Sequence, residues 1–280
     1  MPAVRPAAVA GMFYPEAPKV LSAEVRSHLG RSERPAEGST RPKALIVPHA
    51  GYCYSGAVAA SAYARLSLEG APIRRVVLAG PTHRVPVRGL TLPSARAFAT
   101  PLGTVELDRD AVALALGQPQ VRESDAAHAL EHSLEVQLPF LQTLLREFSI
   151  VPLVVGNATA EEVADVIELL WGGPETLIVI SSDMSHYRRY TEARQIDRVT
   201  ANAVLALSET LDHEQACGAT PINGLLIAAR RHGLRPELID LRNSGDTAGD
   251  KSRVVGYASF AFGEGGPAGG QDSISSKVRL

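Results

Sequence analysis

Short aliphatic runs alternate with amphipathic stretches along most of the chain. Residues 43–47, 75–79, 150–155 and 177–180 are rich in Val, Ile and Leu, too short for helices and bounded by turn residues, so they read as buried strands. Between them, residues 56–66 are small and apolar and predict a returning helix. Residues 159–171 form an amphipathic pattern opened by Thr159-x-x-Glu162, a capping-box spacing. Helices are also predicted over residues 20–29, 191–207 and 222–232, the last ended by Gly233. Leu134, Leu138, Leu141 and Leu145 share one helical face, and Pro139 is set to kink that helix or start a second. Strands are expected at 237–241 and 254–262. Strands alternating with helices imply an α/β fold: a doubly wound, mainly parallel sheet with helices on both faces. Residues 1–263 read as a single domain, and residues 264–280 as a Gly/Ser-rich disordered tail.

The chemistry gathers where strands end. Residues 43–47 run into Pro48-His49, residues 75–79 into Gly80-Pro81-Thr82-His83, and residues 177–180 into Ser181-Ser182-Asp183-Met184-Ser185-His186. In an open α/β sheet the carboxyl ends of parallel strands share one edge, where ligands bind. Two imidazoles at neighbouring strand ends suit a divalent metal, with a carboxylate as the usual third ligand. Asp246, after the strand at 237–241, can reach the same edge and complete a His49, His83, Asp246 set; the competing reading is a turn carboxylate in Ser-Gly-Asp. Asp183 and His186 suit an orienting carboxylate beside a general acid/base histidine, although Asp183 could equally cap a turn. His132 is a further acid/base candidate, and Glu131 beside it reads as a helix-start carboxylate. His28, His213 and His232 read as solvated surface. Cys53 and Cys217 read as small buried fillers, Cys217 on a helix.

Composition narrows the field. Hydrophobic residues make up 45% and charged residues 21% of 280 residues, an ordinary globular balance, and the net charge of -2 offers no footprint for nucleic acid or an anionic membrane. Two cysteines cannot build a disulfide framework, and no apolar stretch reaches spanning length, so a cytoplasmic setting is expected. Dinucleotide and triphosphate loops, a nucleophile elbow and His-Glu-x-x-His are all missing from the sequence, which leaves metal chemistry at the sheet edge.

Several separated motifs occur in a characteristic order: Ala10-Gly11-Met12-Phe13-Tyr14-Pro15, Pro48-His49-Ala50-Gly51-Tyr52, Gly80-Pro81-Thr82-His83, Glu131-His132-Ser133-x-Glu135, Ser181-Ser182-Asp183-x-Ser185-His186, and Ser244-Gly245-Asp246 with Val255-Gly256-Tyr257-Ala258. Together they resemble the Memo family, in microbes component B of the AmmeMemoRadiSam system. The resemblance implies a fold similar to class III extradiol dioxygenases of the LigB type, a cleft holding non-haem iron, and an association with copper. It places His49 and His83 as metal ligands, Asp183, His186 and His132 beside them. Animal members use a cysteine near the last strand as third ligand, where this chain has Asn243 to Thr247; Asp246 is then its replacement. The leading expectation is a mononuclear Fe(II) oxidoreductase acting on an unknown small molecule, with copper or zinc as alternatives. A second is a non-enzymatic metal-binding protein or a partner of other AmmeMemoRadiSam proteins, with Tyr14, Tyr52, Tyr54 and Tyr187 as an aromatic rim. A third is a two-metal hydrolase that adds Asp183 and His186 to the histidines.

Overall fold

A computed structural model describes residues 3–33, 39–67 and 70–264. The chain opens with β1 (Val4–Arg5), α1 (Pro18–Arg31), β2 (Ala44–Val47), α2 (Tyr52–Tyr63) and β3 (Arg75–Pro81). Next come β4 (Leu90–Leu92), β5 (Ala97–Thr100), β6 (Gly103–Glu106), α3 (Arg109–Leu116), β7 (Val121–Glu123) and α4 (Asp125–Ala129). A 3₁₀ turn at Glu135–Gln137 leads into α5 (Leu138–Leu144), β8 (Ser149–Val155), α6 (Ala160–Leu169) and β9 (Thr176–Ser181). The chain continues through β10 (His186–Arg188), α7 (Tyr190–Leu205), α8 (Ala219–Arg231), β11 (Leu234–Asn243), α9 (Ser244–Thr247) and β12 (Val254–Glu264).

Nine strands form the main sheet in the order β10-β12-β2-β9-β3-β8-β4-β7, with β11 paired on β12. The centre, β2-β9-β3-β8, is parallel throughout, while β12, β11 and β10 add antiparallel pairs at one side and β4 pairs antiparallel with β8 at the other. A second, three-stranded sheet joins β1, β5 and β6.

The central strands are apolar along most of their length because both faces are covered. Ile46, Val77, Ala79, Ile178 and Ile180 face a core shared with Val163, Val166 and Ile167 of α6 and Ile222, Leu225 and Leu226 of α8. The alternate residues Leu45, Val47, Val76, Leu78, Leu177 and Val179 face the other core, with Leu21 and Val25 of α1, Ala59 and Tyr63 of α2, and Phe140 and Leu141 of α5. Burying each larger aliphatic stabilises the fold by roughly 1.5–3 kcal/mol before entropy is counted, so neither face tolerates a polar insertion. The α/β doubly wound architecture expected from the pattern is the one observed.

Local signals act as read. Thr159 accepts from the Glu162 backbone N–H and the Glu162 carboxylate accepts in return, so the capping box opens α6. Pro139 sits in the first turn of α5 and starts it, the 3₁₀ turn ending just before. Of the tail placed at 264–280, Glu264 closes β12, and residues 265–280 lie outside the described residues. Among the described residues, no helix is long and apolar enough to cross a membrane.

Candidate metal centre

Strands β2, β9 and β3 are adjacent and parallel, so their carboxyl ends deliver Pro48-His49, Ser182-Asp183 and Thr82-His83 to one edge. A third imidazole arrives from the loop between α4 and the 3₁₀ turn. The rings of His49, His83 and His132 are mutually close, with centroids 5.1, 5.4 and 4.5 Å apart for the pairs 49–83, 49–132 and 83–132. One nitrogen from each lies within 4.8 Å of the other two. The three nitrogens are close enough to serve as ligands of a single ion.

Which nitrogens face the centre follows from the hydrogen bonds. The Ser181 hydroxyl donates to the Ser133 carbonyl at 2.6 Å and accepts from Gln137 Nε2 at 2.8 Å, so toward His49 Nδ1, 2.9 Å away, it can act as acceptor alone. His49 therefore carries its proton on Nδ1 and its lone pair on Nε2. Glu131 does the same for His83, with Oε1 2.9 Å from His83 Nδ1, and the same oxygen lies 3.4 Å from His132 Nδ1 as a charged neighbour. The same carboxylate accepts from the backbone N–H of His83 at 2.6 Å and of Ser133 at 2.9 Å. His49 and His83 are thus left with Nε2 lone pairs, the form in which imidazole binds a metal.

Burial favours neutral rings at His49 and His132. Burial pushes His49, 1% exposed, well below the ordinary histidine value, and the positive potential of His132 and His83 adds to it. Burial also lowers His132. Burial alone would raise Glu131, yet hydrogen bonds and charge from His83, with the backbone donors, hold it at about 2. An anionic carboxylate bonded to His83 Nδ1, beside the buried rings of His49 and His132, suits a divalent cation.

The loop carrying Glu131 and His132 is clamped by the N-terminal segment. Arg5, fully buried, donates from Nε to the His128 carbonyl at 2.7 Å and from Nη2 to the Glu131 carbonyl at 2.6 Å, and pairs with Glu135. Glu135 also accepts from Ala8 and Val9 backbone N–H groups and from the Tyr14 hydroxyl. The Phe13 ring packs 4.7 Å from that of His132. Gly80 lets the loop approach β3, because a Cβ there would stand 3.0 Å from Leu134 Cδ2 and 3.1 Å from Ser133 Oγ.

The remaining expected residues fall in two groups. Asp183 is buried at the site, its Oδ1 accepting from the backbone N–H of His49 at 2.7 Å and of Ala50 at 3.3 Å; burial raises its carboxyl, against those bonds. It thus fixes the turn that aims His49. His186 is half-buried and lies within electrostatic reach of both Asp183 and His49. Asp246 does not join the imidazoles, and its place in the triad is corrected: it is the N3 carboxylate of a capping box with Asn243 and accepts from the Tyr190 hydroxyl at 2.5 Å. His132 stands at the third corner instead. Tyr14 and Tyr52 are buried rather than at the rim, while Tyr54 and Tyr187 are exposed.

Cys217 was read as filler on a helix. It lies in the turn before α8, with Sγ 3.3 Å from His49 Nε2 and 3.6 Å from the Asp183 carbonyl. Burial, with the Asp183 charge, pushes its thiol up to about 12, so it is a thiol whose hydrogen can point at the His49 lone pair. Nothing local in Gln215-Ala216-Cys217-Gly218 announces this, because α8 brings the turn in from the far side of β9.

The sequence model of the family described as Memo-like protein matches residues 5–261. This chain belongs to the Memo-like family. Its relatives include MEMO1 family proteins of Aquifex aeolicus, 38% identical with 92% of this chain and 99% of the relative covered, and of Sulfolobus acidocaldarius, 36% identical with 93% and 100% covered. A third, from Methanothermobacter thermautotrophicus, is 37% identical over 91% of this chain and 99% of the relative. For this Memo-like chain the structure adds a three-histidine group, set by Ser181 and Glu131, that can hold a metal ion.

Proposed function

We propose that this Memo-like chain binds one divalent first-row transition-metal ion, iron foremost, and oxidises a small chelating molecule of diol or phenol type. The observation that carries the reading is the convergence of His49, His83 and His132, with Nδ1 of His49 and of His83 each facing an acceptor. Imidazole serves iron, copper and zinc alike. Iron is favoured here by the resemblance of the family to extradiol dioxygenases. When bound, the ion supplies Lewis acidity and one-electron redox chemistry.

The chain's own residues would do the rest. Ser181 holds the tautomer of His49 and Glu131 that of His83. His186, outside the ligand group, would take the substrate hydroxyl proton on an imidazole nitrogen and return it. Phe13 shields one side of His132 from water.

Elemental analysis of anaerobically purified protein, paired with oxygen uptake over a catechol and phenol panel, tests this. One iron per chain is expected, lost in His49→Ala, and uptake is expected to be lost in His186→Ala with the metal retained. Wild-type protein without stoichiometric metal, or His49→Ala protein that keeps it, overturns the reading. A second reading, metal binding without turnover in the service of AmmeMemoRadiSam partner proteins, is favoured by one observation. Cys217 Sγ lies 3.3 Å from His49 Nε2, and a thiolate formed there on metal binding would be a fourth protein donor, the number of a closed structural site. Stoichiometric metal with no oxygen uptake on any substrate would select it. Two ions are not supported: among the described residues the three histidines are the one such group.

A further inference from the structure

A second concave site lies away from the imidazoles. A cleft of about 1090 Å³ opens over β11, the outermost strand on its side of the sheet, between α1 and α2 on one flank and α7 on the other. No residue of the metal group lines it. Its walls carry Arg31, Arg65, Arg194, Arg198, Arg242 and Lys251, on a chain whose net charge is -2.

The carboxylates of the same walls are mostly engaged. Asp240 takes Arg242, Asp246 takes the Tyr190 hydroxyl, and Asp197 accepts from the Ser185 backbone N–H, which leaves Glu33. Arg65 donates to Glu237 at 3.0 Å. Arg31, Arg194, Arg198 and Lys251 have no carboxylate partner among the described residues, and two of them, Arg194 and Lys251, lie over the Tyr190 ring at 5.7 and 4.5 Å from its centroid. Arg194 and Arg198 are four residues apart on α7, a like-charge spacing that disfavours the helix unless an anion sits between them. Two buried nitrogens of lining residues, His28 Nε2 and Arg65 Nε, also lack a hydrogen-bond partner.

We propose that this cleft binds a small molecule carrying two or more phosphate groups. Guanidinium forks match phosphate oxygens two at a time, and several forks spread along one cleft suit a chain of phosphates better than a single one. The volume is that of a small-molecule site, larger than one phosphate fills.

Calorimetric titration of the full chain with inorganic tripolyphosphate and with inorganic phosphate tests it. Expected is saturable one-site binding of tripolyphosphate, at least tenfold tighter than phosphate. It should weaken at least tenfold in Arg194→Gln/Arg198→Gln, with an unchanged melting curve, and persist in His49→Ala. ATP in a third arm separates a nucleotide, which binds tighter than tripolyphosphate, from a bare polyphosphate group, which binds equally; either result supports the proposal. Absence of saturable binding, binding that survives the double arginine variant, or binding lost in His49→Ala overturns it.

Discussion

Glu131 offers the sharpest test of how the centre is built, through Glu131→Gln. The groups around its carboxylate are donors: the backbone N–H of His83 and Ser133, and Nδ1 of His83, with His132 Nδ1 slightly farther away. A glutamine keeps the shape and offers a single acceptor atom. If its amide nitrogen takes the place of Oε2, it meets the His83 N–H at 2.6 Å, donor against donor. If it takes the place of Oε1, it meets the Ser133 N–H and forces His83 to accept on Nδ1, which moves the ring proton to Nε2 and blocks that nitrogen. In either orientation one buried donor goes unpaired, at a cost of about 1–3 kcal/mol. That is a fall in Tm of roughly 2–4 °C per kcal/mol for a chain of this size. Loss of an outer partner of metal-ligating histidines weakens metal binding by about 10–100-fold, or roughly 1.4–2.7 kcal/mol. Chelator competition at pH 7.5 measures the affinity, and calorimetric melting of metal-free protein measures the stability. A Glu131→Gln protein that binds metal within threefold of the parent and melts at the same temperature refutes the assigned tautomers.

Three further outcomes are expected. Glu135→Ala leaves Arg5 charged and buried without its partner, a loss of about 3–5 kcal/mol, and should lower the Tm by roughly 10 °C in calorimetry. Asp197 is 2% exposed, and burial raises its carboxyl from 3.8 to about 6. A raised carboxyl favours the neutral form, so the fold loses up to roughly 3 kcal/mol as pH climbs from about 4 to about 6. Asp197→Asn, which can still accept from Ser185, should remove that loss; melting curves that keep the same pH slope in parent and variant would contradict it. In the metal-free chain Cys53 is exposed and Cys217 is held as a thiol at about 12, so a disulfide-exchange reagent at pH 8 should titrate one thiol rapidly and the second only after unfolding.

What could be read in the sequence was what short-range physics decides. Strands buried on both faces show as uninterrupted apolar runs, so β2, β3, β8 and β9 were legible, and with them the carboxyl edge that carries His49 and His83. The capping box of α6 and the start of α5 at Pro139 were local too. Asp246 misled for the same reason: Asn243 and Asp246 carry cap spacing and serve as a cap, while the ligand reading required reach that their turn does not give. His132 was expected beside the site as an acid or base, yet its position at the third corner depends on Arg5, some 130 residues away from Glu135 in sequence. Glu131 seemed a cap because its true partners, His83 and the loop's own N–H groups, meet it only after folding. Cys217 carried no signal at all, since its role is set by where α8 docks.

The sharing of Glu131 between two rings has a mechanical consequence. His83 is bonded to Glu131 and His132 sits against the same carboxylate, whereas His49 is mounted separately on Ser181 of β9 and on the Asp183 turn. An ion entering the group would therefore meet two nitrogens set beside one carboxylate and a single opposing one, and the span between the two mounts would act as a gauge of ionic radius. Selectivity among metals of similar chemistry would then be tuned far from the ion, by whatever shifts the Arg5-clamped loop against the end of β9.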